Sequence, residues 1–495
     1  MKRFQLFLAG AFIATGSLFA QSGDAEWQAG FVKMKTLIQT DLNQASEQAD
    51  QLLKGKNKKN PELVIAVAHA FLDAGKLPEA EEYLTLAKKI DRKSADVSVL
   101  EGDIAFARKD AGTACQMYEQ AIYFNPKSEQ AYLKLADIYK GANPQQAIEK
   151  LEQLKAVDPS SVQADKKLAE VYYMNNRFDK AAEAYARFID TPEATENDLV
   201  KYAFALFLNH KFDKSLEIAN KGLQRNARHA AFNRLAMYNY TDMKRYDEAK
   251  KAADAFFGAS DNADYSYLDY MYYGHLLNAI KMYDEAIIQY QKAIELDATK
   301  TDLWREISNV YEQKNDYTKA IDAYQKYYKS LSADKQTSDL QFQIGKLYYG
   351  KGTQGDTLTV SLDERKAALA SADSVFAVIA QTAPDSYLGN FWRARANSAL
   401  DPETTQGLAK PYYEEVATLL ESKNDSHYNS ALIECYSYLG YYYLVANKLP
   451  ESKDYWNKIL AIDPANATAK RALDGIKSHQ HKVIRKGLRR QSTRN

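Results

Sequence analysis

The chain is poor in the residues that staple, break or loosen a fold. Its 495 residues include 2 cysteines, 11 prolines and 21 glycines. Cys115 and Cys435 cannot build a disulfide framework or complete a four-ligand metal site. So few prolines and glycines, with 26% charged residues, exclude collagen-like and disordered chains. Net charge is absent too, 65 Lys+Arg against 65 Asp+Glu, an ordinary balance for a soluble protein. What is abundant is tyrosine: 36, against 19 Phe and 4 Trp. Many tyrosines and few glycines fit packed amphipathic helices better than loop-rich β structure.

One long apolar run exists, from Phe4 to Ala20 behind Lys2 and Arg3. A short positive region, an apolar core and a small residue before Gln21 read as a secretory signal peptide over 1–20. The alternative is an uncleaved anchor, which needs roughly 17 apolar residues. No cysteine lies near residue 20, so a lipid-modified start is not expected. Setting aside Lys2 and Arg3 leaves 63 basic residues against 65 acidic. Setting aside the seven cations after Asp474 as well leaves 56 against 65, an acidic body with a basic tail. The tail is read as a solvated terminus, with weak membrane-surface or acidic-polymer contact as the sharper alternative. It lacks the interleaved aromatics of a nucleic-acid surface, so no nucleic-acid partner is expected.

A repeat fills the rest. Small residues recur at Ala80, Ala114, Ala147, Ala181, Ser215 and Ala249, spaced 34, 33, 34, 34 and 34, then at Ala286 and Ala320, again 34 apart. Four positions later stand Leu84, Tyr118, Leu151, Tyr185, Ala219, Ala253, Tyr290 and Tyr324. The preceding half of each unit reads Tyr132-x-x-Leu135-Ala136-x-x-Tyr139, Trp304-x-x-Ile307-Ser308-x-x-Tyr311 or Tyr436-x-x-Leu439-Gly440-x-x-Tyr443. Aromatic, Leu and Tyr at these spacings share one helical face, and the small residues let two helices approach closely. This period and pattern resemble the tetratricopeptide repeat, in particular exported tetratricopeptide proteins of Bacteroidetes. The resemblance implies an all-α, right-handed α-solenoid of about eleven helix-turn-helix units.

The organisation expected is a signal peptide over 1–20, an N-terminal helical cap over 21–60, and repeats 1 to 8 with the start of 9 over 61–349. A polar loop insert over 350–363, further divergent repeats over 364–466, a capping helix over 467–478 and a basic tail over 479–495 complete it.

Catalytic chemistry has no visible carrier. Gly350-Lys351-Gly352-Thr353-Gln354-Gly355 matches the dinucleotide-binding pattern G-x-G-x-x-G, but it follows a helix rather than a strand, so a hairpin insert is the better reading. No P-loop, zinc-protease, serine-hydrolase or C-x-x-C motif occurs. His479 and His481 read as solvated residues of the tail, and no cofactor or metal is expected.

Binding is what the resemblance implies. Tetratricopeptide arrays expose the first helix of each pair along a concave groove that receives peptides. The matching positions here are Tyr173, Phe204, Phe207, Asn233, Tyr240, His275, Asn278, Arg305, Asn309, Lys346, Tyr349, Arg393 and Asn397, with Phe204 and Phe207 leaning towards core. Arg305/Asn309 and Arg393/Asn397 are each four apart on one face, where a cation and an amide together hold a carboxylate. They resemble part of the carboxylate clamp of chaperone-binding members, although Asp339 and Gln343 stand where Lys and Asn would help. The expectation is an exported, periplasmic, envelope-associated or secreted scaffold, not an enzyme. It binds an acidic or carboxylate-bearing protein segment, with self-association as a further candidate. Two rivals are a glycan-binding receptor on a tetratricopeptide core, which would carry a lipidated cysteine and long loops, and an enzyme built at 350–363.

Overall fold

A computed structural model describes residues 25–355 and 360–478. The expected signal peptide over 1–20 and the expected basic tail over 479–495 lie outside the described residues. The described chain is helical with no β-strand, and from Pro61 to Ile462 its helices form consecutive hairpins. The fold class is an all-α solenoid of such hairpins.

The chain divides into two compact units, the first ending at Leu235 and the second beginning at Ala236. In the first unit a cap of Ala25–Thr40 and Leu42–Leu52 precedes five hairpins. Their first helices are Pro61–Asp73, Ala95–Ala107, Glu129–Ala142, Val162–Met174 and Glu196–Leu208. The second unit holds first helices Tyr267–Ala279, Leu303–Gln313, Ser338–Thr353, Leu388–Leu400 and Asn429–Val445. Residues 467–478 are helical and bury Ala469, Leu473 and Ile476.

Several helices start on a residue that satisfies an orphan amide. Asn60, Ser94, Asp110, Asn143 and Ser161 accept from the third residue on, and Thr195 with Asp198 forms a full capping box. Eight of the hairpin turns are closed by a left-handed residue: Gly75, Lys109, Asn176, His210, Lys244, Lys281, Asn315 and Asn447. The amide after it reaches back five residues, as in Arg177 N to Tyr172 O at 2.9 Å and Met282 N to Leu277 O at 2.8 Å. The two irregular spacings have local causes. Between Ala114 and Ala147 the turn shrinks to Asn143, which ends one helix and caps the next. Between Ala249 and Ala286 the longer junction delivers Tyr265 against Phe257, stacked at 5.1 Å, with its hydroxyl donating to the Phe257 carbonyl at 3.2 Å.

Close approach within hairpins is literal. A Cβ at Gly102 would stand 2.5 Å from the Tyr118 ring, at Gly274 2.6 Å from Tyr290, and at Gly440 2.8 Å from Trp456. Where serine takes a small position, its hydroxyl donates across the hairpin: Ser215 to the Ala203 carbonyl at 2.7 Å and Ser308 to the Ala320 carbonyl at 2.8 Å.

The segment 350–363 differs from the expected loop. The helix Ser338–Thr353 runs on through Gly350 and Gly352, and the next, Leu362–Thr382, starts earlier than the expected Glu364. The glycines serve packing: a Cβ at Gly350 would meet Tyr317 at 2.4 Å and one at Gly352 would meet Leu369 at 2.4 Å. Cys435 is buried and Cys115 half-buried. Burial pushes the Cys435 thiol up, away from reactivity.

Tyrosine burial has a pH consequence. Tyr324 and Tyr438 are pushed up to about 12, chiefly by burial. Folding therefore favours the neutral phenol, a stability complete below the ordinary value of 10.0 and lost as pH rises towards 12. Phenolate absorbance and loss of helical circular dichroism should rise together in that window. Full tyrosine ionisation near pH 10 with the helical signal intact would contradict the packing described.

Candidate functional site: the first-helix faces

In the ten first helices named above, the residue following the small contact residue is at least partly exposed. In the first unit this file reads His69, Asp103, Asp137, Glu170 and Phe204. In the second it reads His275, Asn309, Lys346, Asn397 and Tyr441. The contrast is chemical. The first unit presents carboxylates, and the second presents donors.

The first unit satisfies its own acids. Asp103 accepts from Tyr118 at 2.6 Å and pairs with Lys134 at 2.8 Å, with His69 at 3.7 Å. Lys140 lies 2.9 Å from Asp137 and 3.0 Å from Glu170, while Lys167 lies 2.6 and 3.4 Å from the same two carboxylates. Burial alone would raise both carboxyls, but the two lysines hold them below the usual range. This ring leaves little charge for a partner. Beyond it, Tyr173 joins Phe178 and Phe204 in an aromatic cluster. Phe204 is half-buried and Phe207 buried, as expected of residues leaning towards core.

The second unit keeps donors open. Arg305 is exposed, and its only ion pair among the described residues is Glu306, at 3.9 Å. The guanidinium rests 5.4 Å from the Tyr327 ring centre. Asn309, one turn on, and Lys346, in the next first helix, are half-buried, and Lys346 has no carboxylate within 4 Å among the described residues. His275 is held by Tyr290, whose hydroxyl lies 2.9 Å from Nδ1, and burial keeps the imidazole neutral by pushing its pKa down. Asn278 has its Oδ1 buried without a partner. Beside them a cleft of about 330 Å³ is lined by Thr241, Asp242, Lys244, Tyr246, Met271, Tyr272, His275 and Ala279.

Three expected groove residues turn inward. Asn233 is buried and donates to the Ala227 carbonyl at 3.0 Å, a local tie at the start of its helix. Arg393 and Asn397 already hold a carboxylate, the chain's own: Asp373 Oδ1 accepts from Arg393 Nε at 3.0 Å and from Asn397 Nδ2 at 2.9 Å. Arg393 also donates to the Tyr412 hydroxyl at 2.9 Å. Tyr240 lies beneath the Arg245 guanidinium, and Tyr349 packs edge-on against Trp392. So the i, i+4 pairing of Arg and Asn does grip a carboxylate. Asp373 follows the small residue Ala372, and the corresponding residue ahead of Arg305 is Ile287, after Ala286. An apolar residue there leaves the Arg305/Asn309 pair without an internal acid.

Sequence reasoning missed Tyr441, 44% exposed at the end of the donor file, and the clasp of Arg395 on Glu434 at 2.7 and 2.8 Å. Tyr441 was findable as the residue after Gly440. The clasp joins residues 39 apart and carries no local signal.

Comparison with known proteins agrees with this architecture. A family model for the tetratricopeptide repeat matches residues 133–196 and 281–335, one stretch in each unit. None of the curated proteins matches the chain in sequence. Among solved structures, the C-terminal part of a TPR repeat-containing protein from Cytophaga hutchinsonii is 29% identical, covering 55% of this chain and 99% of that one, at a TM-score of 0.44. A tetratricopeptide repeat protein from Parabacteroides merdae is 17% identical over 50% of this chain and 98% of its own, at 0.32. The structure of Naa15/Naa10 bound to HypK-THB is 14% identical over 92% of this chain and 97% of its own, at 0.28. The repeated hairpins, their small contact residues and the matched stretch in each unit make the chain similar to tetratricopeptide-repeat proteins, whose repeats suggest a protein-interaction scaffold.

Proposed function

We propose that this chain is an exported, non-enzymatic scaffold whose second unit binds an acceptor-rich, carboxylate-bearing protein segment along its first-helix face. One observation carries the reading: among the described residues Arg305 and Lys346 have no acid closer than 3.9 Å and Asn309 makes no side-chain hydrogen bond, while the same Arg–Asn pairing at 393 and 397 is closed on Asp373. A carboxylate arriving at Arg305/Asn309 receives charge-assisted bonds of the kind Asp373 already receives.

The test is calorimetry on the full chain with an acidic peptide ending in a free carboxylate and with its amidated form. The free acid should bind at least about tenfold more tightly. Arg305→Glu with Lys346→Glu should abolish that difference, whereas Arg393→Gln, whose site is already filled, should preserve it. Equal binding of both peptides by wild type and the double variant would remove the site. Export rests on the apolar run before Gln21, and amino-terminal sequencing of chain purified from the cell envelope should begin at Gln21. A start at Met1 or Lys2 would refute cleavage.

A further inference from the structure

In a stack of hairpins each second helix ends, and the next first helix begins, along one edge, at the helix ends rather than on the first-helix faces. Neighbouring loops on that edge touch in the first unit, where the Ser161 hydroxyl donates to Glu129 at 2.6 Å. Helix packing spaces such loops roughly 10 Å apart. The first three loops carry Lys54, Lys56, Lys58 and Lys59, then Arg92 and Lys93, then Lys127, all of them exposed. Of these, the six other than Lys56 have no carboxylate within 4 Å among the described residues. Acids of the same loops are fewer and engaged. Asp91 accepts from the Lys93 amide at 2.9 Å and Glu129 from Ser161, while Glu62 and Asp96 sit in first turns, where the helix dipole holds them. The next two loops, over 158–164 and 189–198, reverse the sign, with Asp158, Asp190, Glu193, Glu196 and Asp198 and no cation. A positive strip therefore stands at one end of an acidic body.

An aromatic side chain accompanies the strip. Tyr123, in the last turn of Ala111–Phe124 and so beside the third loop, is 81% exposed, more than any other large hydrophobic side chain among the described residues. Cations spread over three loops converge on no single point, so a lone phosphate gains little from them, whereas a sheet of negative charge meets them all. A tyrosine ring standing in water gains at a headgroup layer, where amphipathic aromatic side chains settle. The direction of approach agrees. Four residues separate the apolar run ending at Ala20 from Ala25, where the cap begins. A Cβ at Gly30 of that helix would stand 2.6 Å from Leu52, the last residue of the next helix, so the cap starts at this same edge. Cleaved or retained, the run brings this edge to a membrane first, a step that rests on reading the run as membrane-directed.

We propose that the edge formed by the first three inter-hairpin loops docks on an anionic phospholipid surface, its lysines and Arg92 over the headgroups and Tyr123 among them. This contact is made by loops and helix ends, and it leaves the carboxylate site at Arg305 and Asn309 to its own ligand.

Cosedimentation of the full chain with vesicles tests this, using phosphatidylcholine alone and phosphatidylcholine mixed with phosphatidylglycerol. The quantity read is the excess bound to the anionic vesicles, because the apolar run binds both kinds alike. Lys58→Glu, Lys59→Glu, Arg92→Glu and Lys93→Glu together should cut that excess at least about tenfold. Added salt should cut it in wild type. Arg489→Gln with Arg490→Gln, in the basic tail, should leave it within about twofold. Tyr123→Trp reports the contact directly, since brominated phosphatidylglycerol should quench its fluorescence beyond the quenching seen in wild type. The proposal is overturned by an excess that is absent from wild type, that survives the four edge changes, or that vanishes with the tail changes instead. It is overturned equally by no added quenching in the Tyr123→Trp chain. Retention on alginate with no preference between the vesicles would replace the membrane with an acidic polysaccharide. Amino-terminal sequencing decides cleavage separately, and circular dichroism confirms that each variant keeps its helices.

Discussion

Tyr290→Ala should cost the second unit about 3–5 kcal/mol, the range for emptying a fully buried aromatic site. Tyr290 has no exposed surface, fills the space left by Gly274, and ends with its hydroxyl 2.9 Å from His275. Urea unfolding followed by circular dichroism should show one part of the transition moved to lower denaturant while the remainder stays in place. A hairpin that loses its wedge also loses its grip on its neighbours, since each unit of such an array is stabilised by those beside it. Tyr290→Phe isolates the hydroxyl and should cost about 1 kcal/mol. An unfolding curve unchanged by Tyr290→Ala would mean that the ring is not what joins these helices.

The second large effect is the reverse operation, in the first unit. Gly102→Val puts a branched side chain where even a Cβ would stand 2.5 Å from Tyr118. That ring cannot swing aside, because it is 2% exposed and its hydroxyl donates to Asp103 at 2.6 Å. About 3 kcal/mol is expected, the upper end of ordinary overpacking. Because clash is the cause, relieving it should restore stability. Gly102→Ala with Tyr118→Leu should be more stable than the sum of the single changes predicts, as contacting residues couple. Thermal unfolding of the four proteins measures the coupling, and strict additivity would show that the two side chains do not share the space.

The sequence displayed the hairpins so clearly because helix contact is intolerant of size. Ala80, Ala114, Ala147, Ala286 and Ala320 are all wholly buried, so the 34-residue beat is a record of where backbones touch. The beat is silent about polar partners. Arg305/Asn309 and Arg393/Asn397 read alike in one dimension, and only Asp373, twenty residues before Arg393, distinguishes a filled pair from an open one. Asn233 was misplaced for a related reason: position in the repeat puts it among groove residues, but a nearby carbonyl claims its amide. The glycines at 350 and 352 read as loop because glycine commonly ends helices. Here they end nothing, and they admit Tyr317 and Leu369 to the helix surface.

The bond from Tyr290 to His275 joins the deepest ring of a hairpin to a side chain that faces outward. An outward-facing imidazole on a flexible stem would have to be immobilised by whatever it meets, at an entropic cost to the encounter. Here the immobilisation is complete before any visitor arrives, fixed by the same ring that holds the two helices together. A partner that met His275 would meet a ring already fixed in place, a condition that suits selection by shape better than accommodation of many shapes.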